Sequence, residues 1–283
     1  MEKKNNKKVT KNKPTIITKK TIVISIIIFL GLIICNSIYF KNNYEEICFE
    51  YDSDNGKYGV TIYGYKCDFI KDVTIPDTIN AEDVTEIADY VFYNKKIKSV
   101  KLPNNIRKIG NKSFANNSIK EIYIPYSTEY IGDYAFAENS IGELNLQINL
   151  QYLGNYSFIY NSIENLSIES TKEKGLTKIG NSAFEGNSLR NVILPNTLIE
   201  IGSNAFAENK LMDSIYIPAN VKKIDYCAFC NTELSEIING PKTKFDWNEI
   251  LTTKQGEPFK TGSVNIIPCD EELTKDCNIY TEI

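Results

Sequence analysis

The sequence predicts a repeat solenoid, a right-handed coil of short parallel strands, preceded by a single membrane-spanning helix. Two observations predict it. A unit of 22 residues recurs, with copies starting at Ile87, Ile109, Ile131, Leu153, Ile179, Ile201 and Ile224, at spacings of 22, 22, 22, 26, 22 and 23. Such a period belongs to stacked-repeat architectures, because no single unit can bury its own apolar face. Upstream, the uncharged stretch Thr21 to Phe40 follows a tail with eight lysines. The 283 residues then divide into a Lys-rich tail (1–20), a span (21–40), an N-terminal cap or linker (41–68), the solenoid (69–240) and a C-terminal cap and tail (241–283).

The tail carries a net charge of +7, which leaves −11 for the residues after 40, since the whole chain is −4. TIVISIIIFLGLIICNSIYF is long enough, at about 1.5 Å per residue, to cross about 30 Å of hydrocarbon. The lysines before it should stay cytoplasmic, which places the C-terminal part outside a plasma membrane. Cys35 and Ser37 are small enough for a cleavage site, but no A-x-A pattern is present and Ile33-Ile34 argues against a lipoprotein cysteine. An uncleaved anchor is favoured over a signal peptide. Orientation suffices to explain the lysines, and an acidic ectodomain would repel nucleic acid.

In the cap, VTIYGYKCDFI reads as a hairpin or extended strand that closes the first coil. Val73-Thr74-Ile75-Pro76 resembles the end of a repeat strand. A degenerate opening coil thus covers Asp68 to Glu86, with extra residues around Asn80–Asp83.

Each full repeat carries phenylalanine five residues after its start: Phe92, Phe114, Phe136, Phe158, Phe184, Phe206 and Phe229. A small residue precedes it in six copies, among them Ser113, Ala135 and Ser157, which lets the next coil approach. An aliphatic follows at the tenth offset, including Ile97, Ile119 and Leu211, and opens the pattern L-x-x-V-x-L. The closing alternation is a short strand with one face inward, ended by Pro103, Pro125, Pro195 or Pro218 in four coils. Stacked at about 4.8 Å, these strands should form one parallel sheet about 35–40 Å long. Glycine after the start (Gly110, Gly132, Gly154, Gly180, Gly202) reads as a permissive corner. Asn117, Asn139, Asn161, Asn187 and Asn209 share the eighth offset and read as a ladder satisfying turn backbone, in preference to a row of ligand contacts.

The unit IGNSAFEGNSLRNVILP, Ile179 to Pro195, resembles the BspA-type leucine-rich repeat, I-G-x-x-A-F-x-x-[CN]-x-x-L-x-x-V-x-L-P. The resemblance implies a solenoid common on cell surfaces, and its motif positions bring no catalytic residues. Two copies depart from it. Gln147 and Glu169 replace the proline, and the fourth copy is lengthened through Ser170–Gly175.

After Gly240 the period stops. Phe245, Trp247, Ile250 and Leu251 suit a short amphipathic helix over the open end, with Trp247 and Phe259 as core plugs.

The chain has no histidine, which removes the usual general base and the commonest zinc ligand. No phosphate-binding glycine motif occurs, and Asp52, Asp54, Asn55 and Gly56 fit a turn better than a calcium loop. No catalytic constellation, metal or cofactor is expected. Six exported cysteines, Cys48, Cys67, Cys227, Cys230, Cys269 and Cys277, permit disulfides at both ends, Cys48 with Cys67 and Cys269 with Cys277 among them. Cys227-x-x-Cys230 also admits a redox or zinc reading, and reduced thiols stay open.

The outward positions of the strand face supply the binding candidates: Lys98, Lys101, Lys120, Tyr123, Arg190, Ile193 and Tyr216. Tyrosine and arginine on a rigid surface are typical interface anchors. The expected role is binding of a protein or glycan at the cell surface. Self-association in the envelope is the alternative, and a surface thiol enzyme using Cys227 and Cys230 the remote one.

Overall fold

The computed structural model describes residues 41, 43–53, 59–210 and 212–239, and the backbone of Asn265–Pro268. The span predicted at 21–40, the Lys-rich tail, the turn at 54–58 and the helix around Trp247 lie outside the described residues. Among the described residues no helix is long and apolar enough to cross a membrane. The chain forms two compact units, Met1–Ile47 and Cys48–Ile283. Near the end of the first, the Ile47 N–H donates to the Asn43 carbonyl, 2.9 Å, within the short helix Tyr44–Cys48.

The second unit is a solenoid of parallel strands, and its spine is aromatic. All seven repeat phenylalanines are fully buried. Successive rings stack with centroids 4.9 to 5.8 Å apart and planes within 17° of parallel. The widest gap, Phe158 to Phe184, falls where Ser170–Gly175 lengthens the coil. Each stacked pair contributes about 0.5–1.5 kcal/mol beyond its buried area. Tyr65 packs on Phe92 and Phe49 on Tyr65, so the cap continues the spine.

The asparagines complete this core. In Asn161, Oδ1 accepts the Ile141 N–H at 3.1 Å, while Nδ2 donates to the carbonyls of Phe136 (2.9 Å) and Phe158 (3.2 Å). Asn117, Asn139, Asn187 and Asn209 repeat the arrangement, each joining two coils. A second ladder, unread in the sequence, runs two residues after the start. Its side chains accept the N–H of the same position one coil on, from Asp89 through Asn111, Asp133 and Asn155 to Asn181 and Ser203, at 2.7 to 3.0 Å.

The corner glycines serve a different need from the one predicted. At Gly154 an added Cβ would lie 2.6 Å from the backbone nitrogen of Asp133, so contact between coils excludes a side chain. Left-handed backbone falls instead on residues three and seven after the start, such as Tyr134 (φ 57) and Glu138 (φ 54).

Two faces carry strands, where the sequence predicts one. The continuous parallel ladder passes through the start residues themselves, pairing Ile87, Ile109, Ile131, Leu153, Ile179, Ile201 and Ile224 in turn. It is extended by Val60–Tyr65, parallel to Glu82–Ile87 and antiparallel to Phe49–Ser53, which is the capping hairpin. The extra residues near Asn80 form a tight turn in which Thr78–Ile79 pairs antiparallel with Glu82 and Asp83, Asn80 and Ala81 both being left-handed.

The predicted L-x-x-V-x-L face breaks into three sheets: Asp72–Thr74 with Ser99–Lys101; Glu143–Leu146, Asn165–Ile168 and Asn191–Ile193; and Ser214–Ile217, Glu236–Asn239 and Asn265–Pro268. One break lies between Asn191–Ile193 and the strand of the coil that begins at Ile201, the one with spacing 23. Its extra residue shifts the pattern so that Met212, fully buried, fills the place predicted for Leu211, itself outside the described residues. Asn265–Pro268 adds a parallel rung beyond the Gly240 at which the sequence reading ends the period.

Candidate binding surface

The other break in the strand face makes the site. Glu121 to Ile124 should be the rung between Ser99–Lys101 and Glu143–Leu146, yet it pairs with neither. Around it lies an open groove of about 990 Å³, lined by Ser99, Val100, Lys120, Glu121, Ile122, Tyr123, Ile124, Ser140, Gly142, Glu143, Asn145, Gln147 and Glu169. Gly142 helps to open it, since nothing lies within 4 Å of the space its Cβ would take. Ile122 is half-buried in the floor and Tyr123 stands at the rim, 67% exposed.

The structure divides the predicted residues. Lys120 and Tyr123 line the groove. Lys98 and Lys101 are exposed on the coil before it, where Ser99 and Val100 contribute the wall. Arg190, Ile193 and Tyr216 sit coils away: Arg190 Nε is 3.8 Å from Glu164, Ile193 is exposed at the edge of the middle sheet, and Tyr216 is half-buried in the last. Burial pushes the Tyr216 hydroxyl above its ordinary pKa.

Sequence reasoning did not place Gly142, Gln147 or Glu169 in a site. The signal for two of them was present, because Gln147 and Glu169 are the residues that replace the strand-ending proline. Lacking that ring, both coils offer polar side chains at the groove. Its lining holds three carboxylates, Glu121, Glu143 and Glu169, against the single ammonium of Lys120. The described residues give none of the three an ion-pair partner within 4.0 Å.

On the continuous ladder charges are matched instead. Glu200 lies 2.9 Å from Lys178 and 3.0 Å from Lys223, which also meets Asp225 at 2.9 Å. The hydrogen bond from Lys178 chiefly holds the Glu200 carboxyl below the usual range, with Lys223 assisting against the cost of burial.

The cysteines are joined as Cys48–Cys67, with Cα atoms 5.0 Å apart, and Cys227–Cys230, 4.8 Å apart. Cys269 and Cys277 lie outside the described residues. Cys227 and Cys230 are fully buried against Ala207, an environment that disfavours disulfide exchange at the surface. Among the described residues no group of histidine, cysteine or carboxylate side chains is placed to hold a metal.

Among solved structures the chain is similar to a leucine-rich repeat protein of T. pallidum, at 21% identity over 69% of this chain and 84% of that one, with a TM-score of 0.40. A leucine-rich repeat protein from Bacteroides ovatus ATCC 8483 is 18% identical over 80% and 79% of the two chains, with a TM-score of 0.39. The pneumococcal vaccine antigen PcpA is 14% identical over 82% and 96%, with a TM-score of 0.32. No curated protein matches the chain. The BspA type leucine-rich repeat region matches residues 62–174 and 167–247 in six copies, more than half of the chain, and the protein belongs to that family.

Proposed function

We propose that this chain is a single-pass, membrane-anchored cell-surface protein that recognises a protein or glycan through its strand face. The observation that carries the reading is the groove beside Tyr123, a concavity on a scaffold locked by stacked rings and asparagine ladders. A rigid wall with an exposed aromatic at its rim loses little conformational entropy on binding. Anchoring by residues 21–40, with the N-terminus cytoplasmic, is supported by the length and apolarity of that stretch and the lysines before it.

Two experiments test this. Protease treatment of intact cells expressing the full chain should remove the solenoid and leave the N-terminal tail; a protected solenoid refutes the orientation. The detergent-solubilised chain is then assayed on cell surfaces and on itself, beside a Tyr123→Ser, Arg190→Glu, Tyr216→Ser variant. Binding lost by the variant, with its circular dichroism unchanged, supports the strand face. Equal binding by both moves the site elsewhere, and self-association alone favours an envelope-organising role.

A further inference from the structure

On the continuous ladder, the residue before each start is charged in five copies, Glu86, Lys108, Lys178, Glu200 and Lys223, and tyrosine in the two between, Tyr130 and Tyr152. These two lie opposite one another in the parallel register, so backbone pairing aligns their side chains. Their rings stack with centroids 4.4 Å apart and planes 6° from parallel. Both reach solvent, Tyr152 being 41% exposed and Tyr130 half-buried. The Tyr152 hydroxyl donates to Asp133 Oδ1 at 3.3 Å, and the same oxygen accepts the Asn155 N–H at 2.8 Å, which holds the carboxylate in place. A second pair, Tyr134 and Tyr156, stacks at 4.5 Å and 9°, but its rings pack against Ala115, Ala137 and Ile159 and the Lys112 ammonium lies 4.9 Å from the centre of Tyr134.

We propose that Tyr130 and Tyr152 are an oxidative crosslinking site, at which hydrogen peroxide, acting through a haem peroxidase, joins the two rings as dityrosine and staples neighbouring coils. Each phenol gives up one electron and one proton. The Tyr152 proton passes to Asp133 along the existing hydrogen bond, and that of Tyr130 passes to water. The two phenoxyl radicals carry spin at the carbons ortho to oxygen, and those carbons couple through orbitals perpendicular to the rings. A face-to-face pair already lies along that direction, so little rearrangement precedes bond formation. Each ring then moves its ortho hydrogen to the phenolic oxygen, which restores aromaticity and both hydroxyls, and the peroxide is reduced to two molecules of water. The exposure of Tyr152 leaves the joined rings room to turn out of parallel. Tyr134 and Tyr156 are the poorer site, because removing an electron from Tyr134 forfeits the attraction of its ring for the Lys112 ammonium. The staple lies on the ladder of start residues and is independent of recognition at the strand face.

The test treats the full chain in detergent with a haem peroxidase and one equivalent of hydrogen peroxide, at several protein concentrations, followed by proteolysis and mass spectrometry. The expected first product is a peptide pair joined through Tyr130 and Tyr152, two hydrogens lighter than its parts and showing the blue fluorescence of dityrosine. The fraction coupled should not change with protein concentration. Tyr130→Phe and Tyr152→Phe each keep a ring in the stack, should fold normally and should lose that product. Asp133→Asn keeps an acceptor for the Asn155 N–H, as Asn111 and Asn155 do for their neighbours, but cannot take a proton. It should couple about tenfold more slowly, less than an enclosed base would give because water reaches the exposed ring. The stapled chain should unfold at higher urea than the untreated one, since the link restricts the unfolded chain. Crosslinks spread over exposed tyrosines such as Tyr63, Tyr123 and Tyr226, or a yield that rises with protein concentration, would overturn the site. An Asp133→Asn rate equal to that of wild type would overturn the proton route, and an unchanged urea midpoint would overturn the staple.

Discussion

Replacing Asn161 tests whether the ladder holds the solenoid together. In Asn161→Ala, the Ile141 N–H loses the one partner it has among the described residues, an acceptor 3.1 Å away in a buried setting. An orphaned buried donor costs about 1–3 kcal/mol. The two carbonyls fare better, because each keeps a second asparagine: Phe136 retains Asn139 at 3.2 Å and Phe158 retains Asn187 at 3.0 Å. Their weakening adds about 0.5–1 kcal/mol apiece, so the total expected is about 3 kcal/mol. Asn161→Asp is the sharper control. It preserves the acceptor for Ile141 but turns a donor into a carboxylate facing the oxygens of Phe136 and Phe158. Burial against carbonyls raises the folded pKa of that carboxyl above its unfolded value. The penalty is then full at neutral pH and shrinks as pH falls through the raised value, since the protonated acid can donate. The assays are urea unfolding followed by circular dichroism, and exchange of the Ile141 amide. A loss from Asn161→Ala no larger than that from the exposed Asn191→Ala, with Ile141 still protected, would refute the ladder as a stabilising element.

Three further outcomes follow from the same geometry. Phe136→Ala removes a fully buried ring stacked on both sides and should cost about 3–5 kcal/mol in urea unfolding, whereas a cost under about 1 kcal/mol would show that the coils are not coupled through the spine. Ser113→Ala and Ser157→Ala remove buried hydroxyls that have no partner among the described residues, at a position where other copies carry alanine, and each should stabilise by about 1 kcal/mol in melting experiments; destabilisation would mean those hydroxyls are satisfied in solution. Glu200→Gln should cost about 0.5–1 kcal/mol at neutral pH and low salt. Because the folded carboxyl titrates below its ordinary value of 4.5, the difference from wild type should vanish as pH falls through that lower range, and salt should shrink it. A difference that persists in acid would assign the effect to packing.

The sequence by itself determined the repeat and its core. Phenylalanine at a fixed offset, a small residue before it and an aliphatic five residues later leave one way to stack coils, because only that register buries every ring. The asparagine ladder was legible for the same reason: an amide recurring at one offset must serve backbone that recurs there. The tertiary structure decided everything that depends on how one coil sits on the next. Gly154 looks like a flexible corner in the sequence, and the 2.6 Å approach of the preceding coil makes it a contact requirement. The Asp89-to-Ser203 ladder mixes aspartate, asparagine and serine, so no residue identity marks it until the coils are stacked. The groove is the clearest case. IYIP and VILP are indistinguishable as patterns, yet Asn191–Ile193 pairs with its neighbour and Glu121–Ile124 does not. Strand pairing depends on how closely and in what orientation one coil sits on the next, and a local pattern does not contain that geometry.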